Sequence, residues 1–201
     1  MKGKFIKQSL NFIKSKKKIT NLEEKKLLYG LEAFYNLFTK TIVLIILAII
    51  FDCLKELILL TFIYSTLRLY GFGIHAKTSL QCWFTTLPIY IGGCLFIRYC
   101  ELPIVILYIL WIFSFISFIL FAPADTPARP LIHKEKRIRA KILSIVILLF
   151  YLFIFIIYPN KLINNTILYG LLMECISINP LVYKLFNTPF NNYRYFQKTT
   201  V

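Results

Sequence analysis

The chain has 201 residues, of which 58% are hydrophobic and 17% aromatic, well above the roughly 45–50% apolar share of a soluble domain. This excess excludes an ordinary soluble fold and points to an all-α, polytopic membrane protein, read as a single membrane-embedded domain over 1–201. The formal charge of +15 is not a nucleic-acid footprint, because the basic residues cluster beside hydrophobic runs rather than along one soluble face. Anionic lipid and membrane topology account for it better.

In chain order, residues 1–40 carry ten Lys against Glu23, Glu24 and Glu32. Phe5, Ile6, Leu10, Phe12 and Ile13, then Leu27, Leu28, Leu31, Phe34, Tyr35 and Phe38, recur near helical spacing and predict amphipathic helices lying on the membrane surface. Those amphipathic residues separate the positive start from the first long apolar run, unlike a signal peptide of about 15–30 residues, so the segment is expected to be retained. The run 41–66 is long enough to span, but Asp52, Lys55 and Glu56 interrupt its middle, so 41–70 reads as a re-entrant or interfacial helix pair turning at 52–56. Residues 71–82 form a polar loop and helix start. The cleaner transmembrane candidates follow at 83–98, 103–122, 142–158 and 162–179, within 83–180, and a tail closes the chain at 181–201.

Positive charge orients these elements, because basic segments near span ends stay cytoplasmic. Residues 1–40 net +7, the loop 123–141 nets +4 and the tail from 181 nets +3, which places the N-terminus, that loop and the C-terminus inside. With four spans after residue 82, residues 71–82 are cytoplasmic too, provided 41–66 enters and returns. A single full crossing there would put His75 outside and the basic loop on the wrong face.

His75 and Cys82 carry the reactive chemistry. A thiol needs a base or a positive local potential to become thiolate. Seven residues in a continuous helix would separate the two by about 10.5 Å of rise, too far for contact. If Thr78 or Ser79 instead caps a helix starting after it, His75 lies in a loop free to fold back and Cys82 falls in the first turn, where unpaired N–H groups favour thiolate. Gly71 and Gly73 suit the chain reversal. A Cys at the start of a membrane helix also serves ordinary packing. Arg68 either holds an anionic group or fixes the loop through paired hydrogen bonds, or snorkels at a helix end. Asp125, directly after a span, is a candidate to orient His75, as a third group orients the base in triads. His133 belongs to a solvated basic loop.

The five Cys, at 53, 82, 94, 100 and 175, form no CxxC pair and no metal-ligand spacing, and no HExxH, GxSxG or GxxxxGK[ST] motif is present. No metal and no cofactor is therefore expected. A non-enzymatic alternative is a membrane transporter or peptide exporter in which Asp52, Lys55, Glu56 and Glu174 line a polar path.

Arg68 followed by Gly73-Ile74-His75-Ala76-Lys77-Thr78-Ser79 and Cys82 resembles the Arg…Gly-x-His-Ala…Cys signature of the accessory gene regulator B (AgrB) peptidases of Gram-positive bacteria. Tyr29-Gly30-Leu31-Glu32, Ala122-Pro123-Ala124-Asp125-Thr126 and Pro130-Leu131-Ile132 look like further family segments in the usual order. Phe72 departs from the pattern, which commonly has a second glycine there. The resemblance implies a cytoplasmic-facing cysteine endopeptidase of the bacterial cell membrane that removes the C-terminal tail of an AgrD-like quorum-sensing propeptide. It implies Cys82 as nucleophile, His75 as base, and Arg68 and Gly73 as supporting residues beside Ser79 and Asp125. It further implies a thioester intermediate that allows (thio)lactone cyclisation, and a homodimer. The basic segments are then partners for the propeptide's acidic tail or for anionic membrane lipids.

Overall fold

The computed structural model describes residues 2–17, 19–76, 78–127 and 129–194. It is all-α: α1 Lys2–Lys16, α2 Asn21–Ile50, α3 Leu54–Gly71, α4 Ser79–Tyr99, α5 Ile104–Phe121, α6 Lys134–Ile157, α7 Lys161–Ile178 and α8 Pro180–Leu185, with no strand among the described residues. The chain divides into two compact units, 1–50 and 51–201.

In the first unit, α1 pairs with the N-terminal half of α2. Thr20 and Glu23 close a reciprocal capping box at the start of α2, with Thr20 N–H donating to Glu23 Oε2 at 2.8 Å and Glu23 N–H to Thr20 Oγ1 at 3.3 Å. Phe5 meets Tyr35 with ring centroids 5.5 Å apart, and Lys14 pairs with Glu24 at 2.6 Å. No break falls near residue 40: α2 runs on unbroken as a 30-residue helix, because nothing between Asn36 and Ile50 stops the helical pattern.

The chain turns at 51–53, where Asp52 adopts φ +50°, while Lys55 and Glu56 of the charged interruption already lie in the first turn of α3. From there α3 covers 18 residues, about 27 Å at 1.5 Å per residue, close to the roughly 30 Å of a hydrocarbon core.

The second unit is built around α7. Its Ile167, Leu168, Leu171, Cys175 and Ile178 are fully buried with Leu67, Phe118 and Leu148 of the surrounding helices, and it packs on α3, α4, α5 and α6. Gly170 admits α3 closely, with Ile63 Cγ2 3.2 Å from where a Cβ would stand. Asn165 of α7 ties it to the end of α4, its Nδ2 donating to Ile97 O and Cys100 O at 3.2 and 3.0 Å. By contrast, α5 is apolar all round and leaves Val105, Ile109, Ile112, Phe113 and Leu120 exposed, the signature of a helix facing lipid.

Four helices are long and apolar enough to cross a membrane: α2, α4, α5 and α6. Their number agrees with the sequence expectation, but α2 stands where 162–179 was expected. The physical reason is that α7 is the interior helix, and its Asn, Thr and Glu side chains are matched to protein rather than to lipid.

The two ends of this unit are chemically distinct. At one, Arg98 Nη2 pairs with Asp52 Oδ2 and Lys161 Nζ with Glu101 Oε1, both at 2.7 Å. At the other, the loop after α3, the loop after α5 and the C-terminus of α7 meet: Gly73 N–H donates to Ala124 O, Ala124 N–H to Gly71 O and Ile74 N–H to Ser177 O, each at 2.9 Å.

Candidate active site

That second end carries the sequence-derived site. Thr78 is the N-cap of α4, its Oγ1 accepting from Gln81 N–H at 3.2 Å, with Ser79 as the first helical residue. Cys82 therefore lies in the first turn, its N–H donating to Thr78 O at 3.0 Å. The thiol is half-buried, with Sγ 3.8 Å from Thr86 Oγ1. No disulfide engages any of the five cysteines.

His75 precedes this helix in the loop 72–76. Its surface is exposed, yet hydration lost to the surrounding protein, and then the Arg68 and Arg129 guanidinium groups, push the imidazole down from its ordinary value to about 4. At neutral pH it is an uncharged imidazole, able to accept a proton.

The loop is held rather than hinged. Gly73 has φ +87°, and a Cβ there would run into Ser177 Oγ and come within 2.9 Å of Arg68 Nη1. Phe72 also takes a positive φ, +67°, a conformation natural to glycine and strained for an aromatic residue. Its ring is buried against Leu131 and Ala140, and the Arg129 guanidinium lies 4.4 Å from the ring centroid. The departure from a glycine at this position is thus offset by packing.

Arg68, in the last turn of α3, ties the loop to α7. Its Nη1 donates to Tyr64 Oη at 3.0 Å and to Ser177 Oγ at 2.9 Å, and lies 3.5 Å from Glu174 Oε2; its Nη2 donates to Gly73 O at 3.4 Å and to Ile74 O. Arg68 thus faces an anionic group, Glu174, with one nitrogen and the loop carbonyls with the other.

Asp125 stands at the same end, but its carboxylate is committed elsewhere. Only 1% exposed, it accepts from the backbone N–H of Leu131, Asn192 and Tyr193 at 3.3, 2.8 and 2.9 Å. It fastens the loop after α5 to the C-terminal segment, and His75 is not among these partners. Beside it, Tyr183 Oη donates to Ala124 O at 2.9 Å.

Sequence reasoning missed Tyr64, Arg129 and Ser177 as neighbours of the site, and assigned Glu174 to a polar path with Asp52, Lys55 and Glu56. A lone carboxylate in an apolar run was the available signal, but its partner is Arg68, distant in sequence. Asp52 precedes α3, whereas Arg68 and Glu174 lie at its far end, about 24 Å of helix rise away. Among the described residues no group of three or more His, Cys, Asp or Glu is placed to hold a metal ion.

These features define an all-α membrane protein whose second unit carries a thiol in the first turn of α4, an imidazole in the loop before that helix and an arginine clamp on that loop. The chain belongs to the accessory gene regulator B family, whose family model matches residues 6–178. An AgrB-like protein of Clostridium acetobutylicum is 30% identical over 184 residues, 90% of this chain and 87% of that protein. An AgrB-like protein of Listeria innocua is 31% identical over 174 residues, 86% of this chain and 84% of its own. The accessory gene regulator protein B of Staphylococcus haemolyticus is 26% identical over 178 residues, covering 89% and 94% of the two chains. No solved structure matches.

Proposed function

We propose that the chain is a membrane cysteine endopeptidase that removes the C-terminal tail of an AgrD-like quorum-sensing propeptide. The observation that carries this reading is the placement of Cys82 in the capped first turn of α4, directly after a loop that Arg68 holds and that presents His75. In this mechanism Cys82 Sγ attacks the scissile carbonyl, its proton passing to the neutral His75. The C–N bond breaks, the tail amine leaves with the proton from His75, and the retained part of the propeptide stays on Cys82 as a thioester. A propeptide thiol or hydroxyl then attacks the thioester carbonyl, closing a thiolactone or lactone ring and restoring the Cys82 thiol without ATP.

Uncharged at neutral pH, His75 is available to take the proton that the Cys82 thiol gives up. An apolar, water-poor surrounding favours ring closure over hydrolysis. The site is assigned to the cytoplasmic face, with the basic segment 129–141, which runs into the start of α6, obeying the inside rule. The propeptide, anionic lipid and a second copy of the chain are the proposed partners.

The test is intact-mass analysis of an AgrD-like propeptide co-expressed with wild type, Cys82→Ala and His75→Ala. Tail removal with wild type only, with an acyl adduct on Cys82, is the expected result. Equal cleavage by both variants would overturn the assignments.

A further inference from the structure

Resting on that peptidase reading, we propose that Glu174 and Ser177 of α7 are positioning residues for His75, acting through the Arg68 guanidinium. Glu174 is fully buried in the interior helix, where a carboxylate without compensation would be costly. Its Oε2 accepts from Ser177 Oγ at 2.9 Å and faces Arg68 Nη1 at 3.5 Å, while Ser177 Oγ itself accepts from Arg68 Nη1 at 2.9 Å. The hydroxyl therefore relays between guanidinium and carboxylate, and the two α7 groups together set the plane of the Arg68 fork.

The other arm of the fork reaches the site. Arg68 Nη2 donates to the carbonyls of Gly73 and Ile74, and the Ile74 carbonyl belongs to the same rigid peptide plane as the His75 nitrogen. The preceding peptide is held from the same helix, Ile74 N–H donating to Ser177 O at 2.9 Å. The chain entering His75 is thus fixed on both sides by α7, directly and through Arg68. Glycines make room for it: a Cβ on Gly71 would collide with Glu174 Oε1, and one on Gly73 with Ser177 Oγ. A planar, forked cation suits this site, one nitrogen donating to Tyr64 and Ser177 and the other to two loop carbonyls, more acceptors than the three donors of a lysine ammonium serve.

The test uses the full-length protein in detergent and reads the pH profile of Cys82 alkylation by iodoacetamide, resolved by peptide mass spectrometry. Wild type, His75→Ala, Glu174→Gln, Glu174→Asp and Ser177→Ala are compared, each checked for an unchanged melting temperature. Glu174→Gln is expected to move the profile to that of His75→Ala and to lower the rate at neutral pH on the order of tenfold, as misplacement of a reacting group does. Ser177→Ala moves it the same way to a lesser extent, and Glu174→Asp restores part of the loss. Should Glu174→Gln fold poorly, Ser177→Ala carries the same comparison. A profile that depends on His75 but is unmoved by the folded α7 variants overturns the positioning role and leaves the peptidase reading standing. A profile indifferent to His75→Ala overturns the base assignment and the positioning role together.

Discussion

His75 combines an exposed surface with an imidazole held near 4, so its proton affinity reports first on hydration lost to the surrounding protein and then on the two nearby guanidinium groups. The unfolded chain binds the proton more readily between about 4 and 6.5, so this histidine costs stability increasingly as pH falls through that window and nothing above it. Histidine NMR on a His133→Gln variant in micelles is expected to give an inflection near 4 that rises when Arg129 becomes Ala; an inflection at 6.5 would remove both the loss of hydration and the influence of the arginines. Gly73→Ala meets two independent penalties, a positive φ and a collision with Ser177 and Arg68. The φ penalty alone is about 1–2 kcal/mol. The expected outcome is a lower melting temperature with disproportionate loss of tail removal, because the displaced groups are those that hold the loop.

At the scale of elements, the loop after α5 and the start of α4 rest on different devices. Thr78→Ala removes a single N-cap bond and is expected to cost about 0.5–2 kcal/mol, with the smaller effect on the far side of the site. Asp125→Ala leaves the N–H groups of Leu131, Asn192 and Tyr193 without their buried acceptor, at about 1–3 kcal/mol for each such group left unsatisfied. The measured ordering in thermal unfolding should therefore place Asp125→Ala well below Thr78→Ala. Equal effects would indicate that water takes over the amides of the Asp125 cluster. Lys141 of α6 acts similarly at the end of α5, its Nζ donating to Phe118 O and Ala122 O at 2.9 and 2.7 Å, so the residue serves a helix terminus as well as the charge balance of its segment.

For the second unit as a whole, the two ends make a sidedness experiment decisive. The loops 72–76, 122–127 and 178–180 share one end, and the Asp52–Arg98 and Glu101–Lys161 pairs mark the other. In a variant stripped of its own cysteines, Glu101→Cys is expected to react with a membrane-impermeant maleimide on intact cells, and His133→Cys only after permeabilisation. The Glu101 substitution breaks an exposed, solvent-screened ion pair that contributes little to stability, so the fold tolerates the reporter. Labelling of His133→Cys from outside would reverse the proposed orientation.

Much of this was legible in the chain itself. Composition and apolar run length determine an all-α membrane protein, since a bilayer demands about 20 apolar residues per crossing whatever the neighbours are. The Thr78-Ser79 cap ahead of Cys82, and the turn at the Asp52 interruption, follow from local rules of helix ends and charge placement. What only the tertiary structure decided depends on contacts across long sequence separations: that α7 is the interior helix, that Glu174 answers Arg68 across the bundle, and that Asp125 binds backbone amides of the tail. Hydropathy scores a residue by its own side chain, whereas the place of a buried polar group is set by the partner that folding brings to it.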